Sequence, residues 1–109
     1  MKTYNVFYSV KQGVSSEQVS KLTDEFIAQL RTHELIESAA SSRIVNRGNF
    51  PEMPDFHLAV SFKDQAQMDA SFHTIRLSLM TTYPHADLMR SVADFKVTFS
   101  ESLSDLPVA

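Results

Sequence analysis

Apolar residues recur along this chain with two periods, and the switches between those periods outline its elements. Tyr4, Val6, Tyr8 and Val10 alternate with Thr3, Asn5, Phe7 and Ser9, the period of two expected of a strand whose faces meet different surroundings. Lys11-Gln12-Gly13 breaks that pattern. Ser15 followed three residues later by Gln18 reads as a capping box, flanked by Val14 and Val19 as a hydrophobic staple. Val19, Leu22, Phe26 and Leu30, supported by Ile27, then fall on one stripe, while Lys21, Asp24, Glu25 and Arg31 face the other way. This spacing predicts a first helix ending near His33.

From Ile36 to about Arg47 the chain is rich in Ser, Ala and β-branched residues, which predicts a second strand with weak face preference, suited to a sheet edge. Two prolines within Gly48 to Pro54 exclude regular pairing there and predict a long connecting loop. Phe56, Leu58, Val60 and Phe62 alternate with His57, Ala59 and Ser61 in a third strand. Asp64, with Gln67 three positions on, caps a second helix whose buried stripe is Met68, Phe72, Ile75 and Leu79, and Tyr83-Pro84 ends it. Ala86 to about Val92 reads as one further turn. Phe95, Val97 and Phe99 alternate with Lys96, Thr98 and Ser100 in a fourth strand, and the tail from Leu103 to Ala109 reads as loosely attached.

The order is therefore βαββαβ, an α+β fold in one domain spanning residues 1–109. Two helices with one apolar stripe each cover one side of a four-stranded sheet. That side carries Tyr4, Val6, Tyr8, Val10, Phe56, Leu58, Val60, Phe62, Phe95, Val97 and Phe99. Burying a large apolar side chain contributes about 1.5 to 3 kcal/mol, enough over this set to offset the chain entropy of a small domain. The opposite face carries Asn5, Phe7, Ser9, His57, Ala59, Ser61, Thr98 and Ser100, small and neutral where a solvated sheet would carry long charged side chains. With no third helix expected, the cover this implies is the same face of a second copy, an isologous homodimer with a space between two sheets.

Composition narrows the function by exclusion. The net charge is −3, and the ten Lys and Arg residues are scattered, so no phosphate-binding footprint exists and nucleic acid is not an expected partner. The open face offers one Phe where RNA-stacking sheets need several aromatics. Cysteine is absent, and no His-rich run or H-E-x-x-H pattern appears, so neither a metal nor a cofactor is expected. Only Gly13 and Gly48 are present, which leaves no glycine-rich phosphate loop. No window is apolar for the roughly 20 residues a membrane span needs, and Met1 to Val10 reads as a strand and not a signal, so a cytoplasmic location without membrane contact is the expectation.

His57 is the candidate for chemistry, because an imidazole on the covered face is suited to act as a general base or to orient a carbonyl, the competing reading being a partly buried histidine hydrogen-bonded across the dimer. Asn5, Phe7 and Ser61 are placed beside it as ligand-binding residues. Arg43, with Arg47, is read as an anion clamp at the mouth of the inter-sheet space, the competing reading being edge charges that block unwanted pairing. His73, close to Asp69 and Arg76, is assigned to a solvated helix face, and His33 and His85 near element ends to no special role.

The run Tyr4-Asn5-Val6-Phe7-Tyr8-Ser9-Val10-Lys11-Gln12-Gly13-Val14-Ser15-Ser16-Glu17-Gln18 resembles the opening strand, turn and helix start of dimeric α/β-barrel proteins. Asp55 to Phe62 followed by Lys63-Asp64 resembles the third strand of the stress-responsive A/B-barrel family, and Tyr83-Pro84-His85 the turn after its second helix. The resemblance spans most of the chain and places it in an uncharacterised branch of that superfamily. It implies a ferredoxin-like monomer, a four-stranded antiparallel sheet with two helices on one face, that dimerises through its open sheet face into an α/β barrel. The superfamily holds cofactor-independent monooxygenases, polyketide cyclases and haem enzymes, so the resemblance allows catalysis without selecting a reaction. Two functions stay open at this point. One is a small-molecule site between the sheets, for binding or cofactor-free catalysis; the other is a non-enzymatic homodimeric interaction or regulatory module whose barrel is filled by its own side chains.

Overall fold

A computed structural model describes residues 1–105; the end of the tail discussed above, residues 106–109, lies outside the described residues. The elements are β1 (Lys2–Val10), α1 (Ser16–Thr32), β2 (Ser38–Arg43), β3 (Phe56–Phe62), α2 (Gln65–Thr74), a π-helical turn (Ile75–Leu79), α3 (His85–Ser91) and β4 (Val92–Glu101), followed by a short 3-10 turn (Leu103–Asp105). All strand pairs are antiparallel, and the sheet order is β2-β3-β1-β4. This is the expected α+β ferredoxin-like arrangement.

Both predicted caps form. Ser15 Oγ accepts from the Gln18 amide at 3.1 Å, and an Asp64 carboxylate oxygen accepts from the Gln67 amide at 2.9 Å, each satisfying an amide that the helix itself cannot. Val19, Leu22, Phe26, Ile27 and Leu30 of α1 are buried against Val6, Tyr8, Leu58, Val60 and Phe62 of the two central strands. Tyr8, 2% exposed, carries its hydroxyl into this core and hydrogen-bonds Thr23 Oγ1 at 2.7 Å. Thr23 in turn donates to the Val19 carbonyl at 2.9 Å, so the buried hydroxyl is satisfied through α1.

The structure departs from the sequence reading in four places. A third helix, α3, exists where one further turn was expected, and it packs against α1 on the already covered side, so the open face stays uncovered within one chain. Strand β2 is six residues long and starts at Ser38; Ile36 precedes it, half-buried against the core. The loop after it is less irregular than two prolines suggest. The Ile44 amide reaches the Asp55 carbonyl at 2.8 Å, and Arg47 closes the arm on Asp55 Oδ1 at 2.5 Å and the Met53 carbonyl at 2.7 Å. The fourth departure concerns β4, whose helix-side residues are poorly covered: Phe99 is 62% exposed, and Phe95 and Val97 are also exposed. Phe72 of α2 reaches Phe99, 6.3 Å between ring centres, but leaves most of it to solvent.

Candidate functional site

The cross-strand register sorts the predicted site residues by face. Three rows make the open face: Ser42, His57, Phe7 and Lys96; Ala40, Ala59, Asn5 and Thr98; and Ser38, Ser61, Thr3 and Ser100. Within those rows only Lys96 carries a charge, and it is paired with Asp94. His57, Asn5 and Phe7 come together as expected. His57 Nε2 lies 3.1 Å from Asn5 Oδ1, an acceptor, so this ring nitrogen is the donor, while Asn5 Nδ2 donates to Ser100 Oγ at 3.0 Å. Phe7 stacks on the imidazole, 4.4 Å between ring centres at an angle of 7°. Burial pushes the His57 pKa below its ordinary value, because the ring's charged form loses water under Phe7. Ser61 sits two rows away, hydrogen-bonded to Thr3 at 3.1 Å.

Arg43 is not with them. It stands opposite Phe56 on the helix side of the sheet, beside a hollow of about 240 Å³ shared with Ser16, Ser20, Thr23 and Ser41. Arg47 is taken up by the hairpin arm. The two arginines therefore form no clamp on the open face.

A larger space lies between the helices and the sheet. Its volume is about 340 Å³, within the range of small-molecule sites. Tyr4, Val6, Leu58 and Val60 form its floor, and Phe26 and Leu30 of α1 with Leu88 of α3 form its roof. Two local irregularities open it. Between Phe7 and Ser9 the pairing with β4 skips from Lys96 to Ala93, a bulge at which Asp94 takes φ +53°, and beyond it Phe95, Val97 and Phe99 stand along one rim. On the other side α2 widens into its π-helical turn, closed by the Met80 amide on the Ile75 carbonyl at 2.9 Å, and contributes Ile75, Arg76 and Met80 to the lining.

Few polar groups reach this lining. The Tyr8 hydroxyl is committed to Thr23, and burial raises the pKa values of Tyr4 and Tyr8, keeping both phenols neutral. His85 lines the cavity with its ring 5.0 Å from that of Phe26, and its Nδ1 donates to the Met80 carbonyl at 3.0 Å. In the neutral ring Nε2 is then the free acceptor. Arg76 is the remaining polar side chain. Sequence reasoning set both residues aside, His85 as a turn residue and Arg76 as helix surface. The available signal was Tyr83-Pro84-His85 followed by a short helical pattern carrying the apolar Leu88, which had to pack somewhere above the sheet.

Among the described residues no group of three or more Asp, Glu, His or Cys side chains is placed to hold a metal ion, and no helix is long and apolar enough to cross a membrane.

A family of unknown function, DUF6614, has a model that matches residues 1–105. The chain belongs to this family. No curated protein matches it by sequence. Among solved structures, this DUF6614 chain is similar to an Arabidopsis thaliana protein at TM-score 0.74 and 13% identity, covering 100% of this chain and 99% of that one. An uncharacterised NIPSNAP domain protein from Burkholderia xenovorans matches at TM-score 0.72 and 9% identity, over 99% and 100%. A protein of unknown function from Jannaschia sp., described as dimeric and ferredoxin-like, matches at TM-score 0.65 and 11% identity, over 93% and 98%. At these identities the likeness establishes the ferredoxin-like fold of the DUF6614 chain.

Proposed function

We propose that this protein is a homodimer, paired through the open sheet face, in which each protomer binds a small and largely apolar molecule in the cavity between its helices and its sheet. The cavity carries the proposal: about 340 Å³ walled by aliphatic and aromatic side chains, with His85 and Arg76 as the few polar groups able to orient a guest. The dimer reading is supported by the nearly uncharged open face and by structural relatives described as dimeric. In it, His57, Asn5, Phe7 and Ser61 lie between the sheets. The hydrogen bonds of His57 with Asn5, Asn5 with Ser100 and Ser61 with Thr3, and the stacking of Phe7 on His57, favour a space filled by side chains over one that waits for a ligand.

Thermal-shift titration with 2-naphthol on wild type, Leu88→Phe and His57→Ala separates the two positions. Leu88 roofs the cavity, so a larger ring there occupies the guest's space. Stabilisation by the probe that is lost in Leu88→Phe and kept in His57→Ala supports the helix-side site. The reverse pattern moves the site between the sheets, to the residues first singled out by sequence.

A further inference from the structure

The cavity holds one permanent charge with nothing to answer it. Arg76, a solvent-exposed residue of the π-helical turn, borders the space, and among the described residues it makes no ion pair and no hydrogen bond. No Asp or Glu lines the cavity. The carboxylates adjacent in sequence to its walls are engaged: Glu25 accepts from the Tyr83 hydroxyl and lies 4.0 Å from Lys21, Asp87 is bound by Arg90, and Asp94 by Lys96. A guanidinium is weakly hydrated, planar and forked, a shape that matches the two oxygens of a carboxylate. Water reaches the outer side of Arg76, and the apolar walls on its cavity side exclude part of the water that would screen such a pair.

Resting on the proposed binding in this cavity, we infer that its ligand is an apolar monocarboxylate, with its hydrocarbon part between α1, α3 and the sheet and its acid group on Arg76. The net charge of −3 opposes general attraction of anions, so a preference for the acid would come from this residue and not from the surface at large.

Calorimetric titration of wild type with 2-naphthoate and with 2-naphthol, two probes of one ring system that differ in charge, tests this. Wild type should bind the acid at least about 10-fold more tightly than the alcohol, as expected for a charge-assisted bidentate pair. Arg76→Gln should weaken naphthoate binding until the two probes are about equal, while naphthol affinity changes by less than about twofold. Arg43→Gln, which removes another arginine that has no partner among the described residues, should leave the preference intact. Equal affinities in wild type, or a preference that survives Arg76→Gln, overturn the inference and leave the cavity reading standing. Failure of both probes to bind wild type overturns the two together.

Discussion

Glutamate in place of Ala59 would stand at the centre of the open face, between Asn5 on β1 and Ala40 on β2. In a single chain Ala59 is only half-buried and points away from the core, so the variant monomer has a solvated place for its carboxylate and should fold. Pairing changes that. An isologous interface brings two copies of the charge into one buried surface, and the effective cost of burying an unpaired ion is several kcal/mol each. Taking about 3 kcal/mol per carboxylate, the dimer loses roughly 6 kcal/mol, a factor of about 10⁴ in dissociation constant. A nanomolar dimer would then dissociate in the range of about 10 μM. Sedimentation velocity across that range reads the change directly, with Ser78→Glu on the exposed π-helical turn as the control that should remain dimeric. A variant that sediments as a dimer at the lowest concentrations, with a normal melting curve, would refute pairing through this face.

Three further expectations concern the two sides of the sheet. Tyr8→Phe removes one hydroxyl but leaves Thr23 donating to Val19, a loss of about 1 kcal/mol in urea unfolding, whereas Thr23→Val strands the buried Tyr8 hydroxyl and should cost about 2 kcal/mol; the opposite order would contradict the hydrogen-bond chain. His57 has a folded-state pKa below its ordinary 6.5, because burial disfavours the charged ring, so its neutral form is the one the fold accommodates. Its contribution is complete above pH 6.5 and is lost as pH falls from there through the lowered value, so His57→Gln should flatten the acid-side loss of stability in melts taken across that window; identical profiles for the two proteins would count against it. Leu88→Phe fills space instead of creating it, so its melting temperature should stay within a few degrees of wild type, and a collapse of the fold would mean the cavity is not there to be filled.

The parts of this fold set by local chemistry were readable from the chain. Ser15 with Gln18 and Asp64 with Gln67 mark two helix starts because the capping oxygen and the orphan amide lie three residues apart in sequence. The alternation in β1 and β3 fixed both faces of the central strands. In β2, Ser-Ala-Ala-Ser-Ser-Arg carries no apolar alternation, so its phase is set only by pairing with β3, and Arg43 fell on the side opposite to the one expected. Helix α3 reads as no more than one turn for a related reason. It is seven residues long, its preceding residue Pro84 offers no side-chain cap, and its packing against α1 supplies its stability. The cavity depends on where the helix layer ends relative to β4, a tertiary fact with no periodic trace. Hence Phe95, Val97 and Phe99 read as core from their pattern yet stand at a rim, while His85, read as an ordinary turn residue, is half-buried in the lining, and Arg76, exposed as expected, also borders the space.

Methyl chemical shifts followed during a 2-naphthol titration test the placement of the ligand most directly, since Leu30, Val60 and Leu88 report the cavity and Ala40 and Ala59 report the open face. Binding on the helix side predicts saturable shifts at the three cavity residues while the two alanines stay fixed. Saturable shifts confined to Ala40 and Ala59 would contradict it.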